Sequence, residues 1–167
     1  MSNLVISDEQ ARKLIVTEVG KNFFVEASAG SGKTTSLVYR MVSMVEKGVP
    51  VEKICTITFT KAAADEFFSR FQSLLSIRSV KIPDKTDKFI GEKTDLTVER
   101  CQKALANIDA CFMGTIDAFC NMIAHELPTQ LGVPSDSEII TNEERSAAIK
   151  KEYEEILKDN THKLSKL

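Results

Sequence analysis

The chain has 167 residues, 43% hydrophobic and 28% charged, so it has the size of about one domain with a sizeable core and is not collagen-like, low-complexity or wholly disordered. Lys and Arg number 22 against 24 Asp and Glu, a net charge of -2 with a pI near 5.8, so no bulk basic field marks a nucleic-acid binder and any such contact must be local. No run approaches the roughly 18 apolar residues of a membrane span, and MSNLVISDEQ lacks the basic start and apolar core of a signal peptide, which together predict a cytoplasmic protein without a membrane partner.

In chain order, Ser7 to Val19 places Leu14, Ile15 and Val19 on one helical face, with Ser7 and Gln10 at capping-box spacing. Asn22 to Glu26, NFFVE, reads as a short apolar strand that runs into the small residues Ala27 to Gly32, and Lys33 to Glu46 has helical periodicity through Leu37, Val38, Met41, Val42 and Val45. Gly48-Val49-Pro50 stops that helix, and Lys53 to Phe59, KICTITF, predicts a strand buried on both faces of a parallel sheet. A helix from near Thr60 carries Ala62, Ala63, Phe67, Phe71 and Leu74. The polar, lysine-rich stretch 81–93, broken by Pro83 and Gly91, predicts a surface insertion.

A further helix is expected over Leu96 to Ile108, then a third short strand at Cys111-Phe112-Met113 that ends at Gly114-Thr115. Ile116, Phe119, Cys120, Ile123 and Leu127 mark the helix that follows, closed by Pro128. Thr141 to Glu144 has a capping-box pattern that opens a long charged helix to about Asp159, beyond which NTHKLSKL is expected to fray. Alternating strands and helices predict an α/β fold with a mainly parallel sheet. The four cysteines, Cys55, Cys101, Cys111 and Cys120, have no metal-ligand spacing, and three lie in apolar runs, so they are expected as reduced, buried thiols. His125 and His162 are assigned no catalytic role.

EASAGSGKTT, Glu26 to Thr35, fits the phosphate-loop pattern G-x4-G-K-S/T with Ala27 in the first glycine position. Its small residues, Ala29, Gly30, Ser31 and Gly32 among them, let consecutive amides curve around a polyphosphate, and the helix N-terminus adds partial positive charge. Lys33 supplies a point charge and acts as the catalytic lysine, the Thr34 hydroxyl is suited to a magnesium ion, and Thr35 closes the motif.

Four segments, SDEQ at Ser7 to Gln10, EASAGSGKTT, ITFTKAAADEF at Ile57 to Phe67 and GTIDAFC at Gly114 to Cys120, together resemble the superfamily 1 DNA helicases of the UvrD/Rep type. The EASAG wording and TFT-x-AAA look more like the AddA/RecB branch of helicase-nuclease subunits than like UvrD. The resemblance implies an incomplete P-loop, RecA-like motor domain, with ATP and magnesium as cofactors. It implies that Gln10 contacts adenine, for which a side-chain amide offers both donor and acceptor; as residues alone, Gln10 also suits the capping box of Ser7. It implies that Thr58, Phe59, Thr60 and Lys61, and then Thr115 and Asp117, lie along single-stranded DNA.

The chain departs from the family where Lys61 replaces an asparagine, and where Asp117 and Ala118 replace His and Ser, so that a carboxylate stands where a phosphate is expected. The resemblance also implies an Asp-Glu motif at a strand end, which this chain does not contain, since Asp8-Glu9 and Asp65-Glu66 fall at or in helices. Residues 1–127 are therefore expected to form the first part of a motor domain and 128–167 to lead toward an accessory subdomain of a longer protein. The implied partners are single-stranded DNA or duplex ends, the remaining helicase domains and a second helicase-nuclease subunit. From the residues alone, a nucleotide-binding regulatory module and a small-molecule phosphotransferase stay open, although the latter needs an arginine-rich lid and only Arg100 and Arg145 follow Arg78.

Overall fold

The computed structural model describes residues 8–28, 30–132, 134, 137–138 and 140–164, with side chains through 158 in the last helix. Its elements are α1 (Asp8–Thr17), α2 (Lys33–Glu46), β1 (Cys55–Thr58), α3 (Lys61–Arg78), α4 (Asp87–Ile90), α5 (Asp95–Ala106), β2 (Phe112–Thr115), α6 (Ile116–Glu126), α7 (Pro128–Leu131) and α8 (Asn142–Leu164). The chain divides into two compact units, Met1–Met122 and Ile123–Leu167.

In the first unit β1 and β2 pair in parallel, Cys55 opposite Phe112 through Thr58 opposite Thr115. The core lies where α2, α3 and α5 meet the chain entering the two strands: Val38, Val42 and Val45 face Phe71, Leu74 and Leu75, with Cys101, Ile108 and Cys111 closing it. Such positions recur every three or four residues, which is why the helices of this unit are legible as periodicity. α2 ends as its glycine requires: Gly48 has φ 94°, its N–H donates to Val45 O, and the Val49 N–H reaches back to Met44 O.

Several expectations are corrected. Asn22 to Glu26 is not a strand; among the described residues the sheet consists of β1 and β2, and an extended segment becomes a strand only through a hydrogen-bonded neighbour. Phe24 there is 94% exposed. β1 is shorter than predicted and alternates exposed and half-buried residues instead of being covered on both faces. Two of the four cysteines, Cys55 and Cys120, are exposed, while Cys101 and Cys111 are buried, and all four are free thiols. Burial pushes the Cys101 thiol up to about 12 and the Cys111 thiol up to about 11, so neither forms a thiolate near neutral pH.

Most of the stretch 81–93 lies at the surface, and it is also tied into the fold by a polar anchor. Arg78, wholly buried at the end of α3, donates through Nε to Glu46 (2.6 Å) and through Nη1 to Asp87 (2.5 Å) and the Thr86 hydroxyl, with Nη2 on Gly91 O. Lys93, almost fully buried, pairs with Asp84 at 2.6 Å. Sequence periodicity carries no trace of this polar anchor, because its members come from four separate places in the chain.

In the second unit, Thr141 and Glu144 form a reciprocal cap: the Glu144 N–H donates to the threonine hydroxyl (3.3 Å) and the Thr141 N–H to the glutamate carboxylate (2.7 Å). α8 continues through Leu164 and not merely to Asp159, there being no Gly or Pro from 142 onward to stop it. Ser7 and Ala29 lie outside the described residues, so the cap expected at Ser7 does too.

Candidate functional site

The loop between the irregular segment and α2 turns at Gly30 (φ 76°) and Gly32 (φ 85°), both in the left-handed region. Gly32 is the residue from which α2 springs, and its carbonyl receives the Ser36 N–H at 3.0 Å. A side chain there would be strained by the backbone and would meet Arg12 Nη1 at 2.8 Å from its Cβ. The Ser31 N–H donates to Ser28 O at 3.3 Å, tightening the turn. Lys33 arches back and donates to the carbonyls of Ala27 and Ser28, the latter at 2.8 Å, so its charge stands across the loop.

The Ser31 hydroxyl is buried without a hydrogen-bond partner among the described residues, which leaves one polar atom of the loop waiting for an acceptor or donor. Beside it lies a cavity of about 210 Å³ lined by Arg12, Glu26, Ala27, Ser31, Lys33 and Leu37, among others. Thr34 is half-buried in the first turn of α2, and Gln10 is exposed on α1. Thr35 is exposed and lines a different groove, between α2 and α3, with Arg70 and Leu74. No group of three or more His, Cys, Asp or Glu among the described residues is arranged to hold a metal ion.

Two arginines escaped the sequence reading. Arg12 bridges Asp8 (Nε to Oδ2, 2.9 Å) and the Ser31 carbonyl (Nη2, 2.5 Å). Arg40 caps the end of α1, donating to the carbonyls of Ile15 (2.6 Å), Glu18, Val19 and Lys21 (2.8 Å), with its guanidinium 5.2 Å from the Phe23 ring centroid. Arg40 lies two helical turns beyond Lys33 on α2, a spacing that puts both on one face and is the signal by which it could have been found.

The second cluster forms at the carboxyl ends of the parallel strands. Thr58 and Thr115 are register partners, so the segments 58–61 and 115–117, far apart in sequence, end side by side where α3 and α6 begin. Each hydroxyl there is already engaged. Thr60 accepts the Ala63 N–H at 3.2 Å, Thr115 accepts the Ala118 N–H at 3.2 Å, and Thr58 donates to Thr60 O at 2.9 Å. Phe59 is 95% exposed, and Lys61 and Asp117 are exposed in the first turns of their helices. Phe119, half-buried, packs edge-on against Phe112 at 5.5 Å, whereas Cys120 is exposed. His125 is exposed, and the His162 side chain is outside the described residues.

Residues 7–167 match the UvrD/REP helicase N-terminal domain. Among curated relatives the chain is similar to the AddA-type subunit of the ATP-dependent helicase/nuclease of Lactobacillus acidophilus, 33% identical over 135 residues, covering 81% of this chain and 10% of the relative. It is likewise similar to the corresponding protein of Lactobacillus gasseri, 31% identical over 150 residues (90% of this chain, 11% of the relative), and to that of Leuconostoc mesenteroides, 34% over 122 residues (73% and 10%). The chain thus spans about a tenth of the length of these relatives, and their name bears out the AddA-type likeness read from EASAG and TFT-x-AAA. With a match that runs from the first described helix through the last, the chain belongs to the UvrD/REP helicase N-terminal domain family.

Proposed function

We propose that this chain is the ATP-binding part of an ATP-dependent DNA helicase motor of the AddA helicase-nuclease type, working in DNA repair in the cytoplasm. The observation that carries this is the phosphate loop itself: two left-handed glycines, a lysine poised across the curve and a buried serine hydroxyl without a partner among the described residues, all beside a cavity. Lys33 releases its carbonyls to take up phosphate charge, the Gly32 to Thr34 backbone offers amides, and Gln10 on the neighbouring helix serves adenine. Thr34 would hold magnesium, which neutralises phosphate charge when bound. No helix of the described residues is long and apolar enough to cross a membrane.

Single-stranded DNA, or the end of a duplex, lies along the carboxyl ends of β1 and β2. There the exposed Phe59 offers a face on which a base stacks, Lys61 offers charge, and the α3 and α6 N-termini offer amides to phosphates. Residues 1–127 form the start of the motor domain and 128–167 lead toward an accessory subdomain; the remaining helicase domains and a second helicase-nuclease protein are the partners. Calorimetric titration of ATP with magnesium into the wild-type chain and Lys33→Ala tests the nucleotide site. The variant should lose about 2–3 kcal/mol, the scale of a charged hydrogen bond to phosphate, and equal affinities would remove the assignment.

A further inference from the structure

Arg12 touches three features at once: the start of α1 through Asp8 at 2.9 Å, the Ser31 carbonyl inside the phosphate loop at 2.5 Å, and the bare side of Gly32, where a Cβ would come within 2.8 Å of its Nη1. The Ser31 carbonyl and the Gly32 N–H belong to one peptide unit, which is planar and trans, so they point in opposite directions. A guanidinium that fixes the carbonyl on its own side therefore fixes the Gly32 N–H on the other. We propose that Arg12 is a positioning residue for polyphosphate: it holds the Ser31–Gly32 peptide so that the Gly32 N–H faces the bound phosphates, and it ties this loop to the helix that carries Gln10.

Three facts favour this role over a surface ion pair. The guanidinium is partly buried and lines the same cavity as Lys33. Its grip is on a backbone carbonyl 19 positions away, not only on the carboxylate one helical turn back. Gly32, left-handed as it is, also leaves the space that the guanidinium occupies, so loop and arginine fit each other. Asp8 completes the strut, because a carboxylate on Nε orients the planar fork and leaves its two terminal nitrogens turned toward the loop.

The inference rests on the loop's being a polyphosphate site, and the test separates the two. ATP and inorganic tripolyphosphate, each with magnesium, are titrated into the wild-type chain, Arg12→Ala, Arg12→Lys, Asp8→Asn and Lys33→Ala, and the melting temperature of each unliganded protein is recorded. Arg12→Ala should weaken both ligands roughly tenfold, the scale of one charge-assisted hydrogen bond. Arg12→Lys should recover part of that, since an ammonium reaches the carbonyl but cannot fork to Asp8, and Asp8→Asn should cost about two- to threefold.

Wild-type affinity in Arg12→Ala while Lys33→Ala is weakened would overturn the role of Arg12 alone; wild-type affinity in both variants would overturn the nucleotide site. A loss confined to ATP would place Arg12 at the base or ribose and overturn the positioning role. A lowered melting temperature with unchanged affinity would make it a structural strut only. Should Arg12→Ala not fold, Asp8→Asn decides, and unchanged affinity there overturns the proposal.

Discussion

Asp117 is the residue at which the family resemblance and the local chemistry disagree most sharply, and its surroundings say what it does. The hydroxyl that caps α6 is that of Thr115, which accepts the Ala118 N–H, so the Asp117 side chain is not the cap; it stands exposed in the first turn, where a carboxylate gains from the helix dipole. Asp117→His should therefore cost less than about 1 kcal/mol of stability, while relieving repulsion and tightening single-stranded DNA by about 1 kcal/mol. Thr115→Ala should lose about 1 kcal/mol of stability with its cap. Fluorescence anisotropy with a labelled oligonucleotide at two salt concentrations, beside melting curves, separates the two residues. DNA affinity unchanged by Asp117→His would take this segment off the DNA path.

At the scale of elements, the polar anchor under α3 is what holds the 81–93 stretch to the helices. Arg78 sits without solvent between Glu46 at the end of α2 and Asp87 at the start of α4. Arg78→Ala should destabilise by about 3–5 kcal/mol in chemical unfolding, because it strands a buried glutamate rather than merely deleting a pair. The same region sets an acid limit.

Asp84 loses some hydration on burial. The ammonium of Lys93 and the hydrogen bonds from Thr86 outweigh that loss, holding its carboxyl down to about 2 from an unfolded value near 3.8. A depressed carboxyl stabilises fully above its unfolded value and loses that contribution as pH falls toward 2. Asp84→Asn should thus cost about 2 kcal/mol at pH 7, a gap that closes between pH 4 and 2 in urea melts at each pH. Glu46 acts in the opposite sense: desolvation holds its carboxyl above the usual range despite Arg78, so its linkage favours the folded state at low pH. A gap that stays constant from pH 7 to 2 would mean that Asp84 is not held by Lys93.

For the whole molecule, the two clusters have different completeness. The phosphate loop has its lysine and glycines in place with Arg12 on the Ser31 carbonyl, whereas no strand of the described sheet ends in a carboxylate that could orient water, β1 ending at Thr58 and β2 at Thr115. The 167-residue chain is therefore expected to bind ATP and not to turn it over, since water-orienting and charge-stabilising groups are worth orders of magnitude in rate. Phosphate release measured with and without single-stranded DNA checks this. DNA-stimulated turnover abolished by Lys33→Ala would show that another carboxylate of this chain does that work.

What the sequence determined by itself is what local chemistry determines. The helix of Lys33 to Glu46 appeared at its observed bounds because periodicity and a terminal Gly48 are properties of adjacent residues, and the cap at Thr141 was legible for the same reason. Gly-Lys-Thr marked the loop because few other chemistries need those residues together. Tertiary structure alone decided what depends on partners distant in the chain. Asn22 to Glu26 has the composition of a strand but no strand to pair with among the described residues, and Arg12 and Arg40 acquired their roles only when α1 folded against the loop and α2. Arg78 found its carboxylates from two other helices, and the segments at Thr58 and Thr115 became one surface only through parallel pairing. Composition and spacing encode the preferences of single elements, and hydrogen bonds and charges are satisfied between elements, which is where the reading of a lone sequence stops.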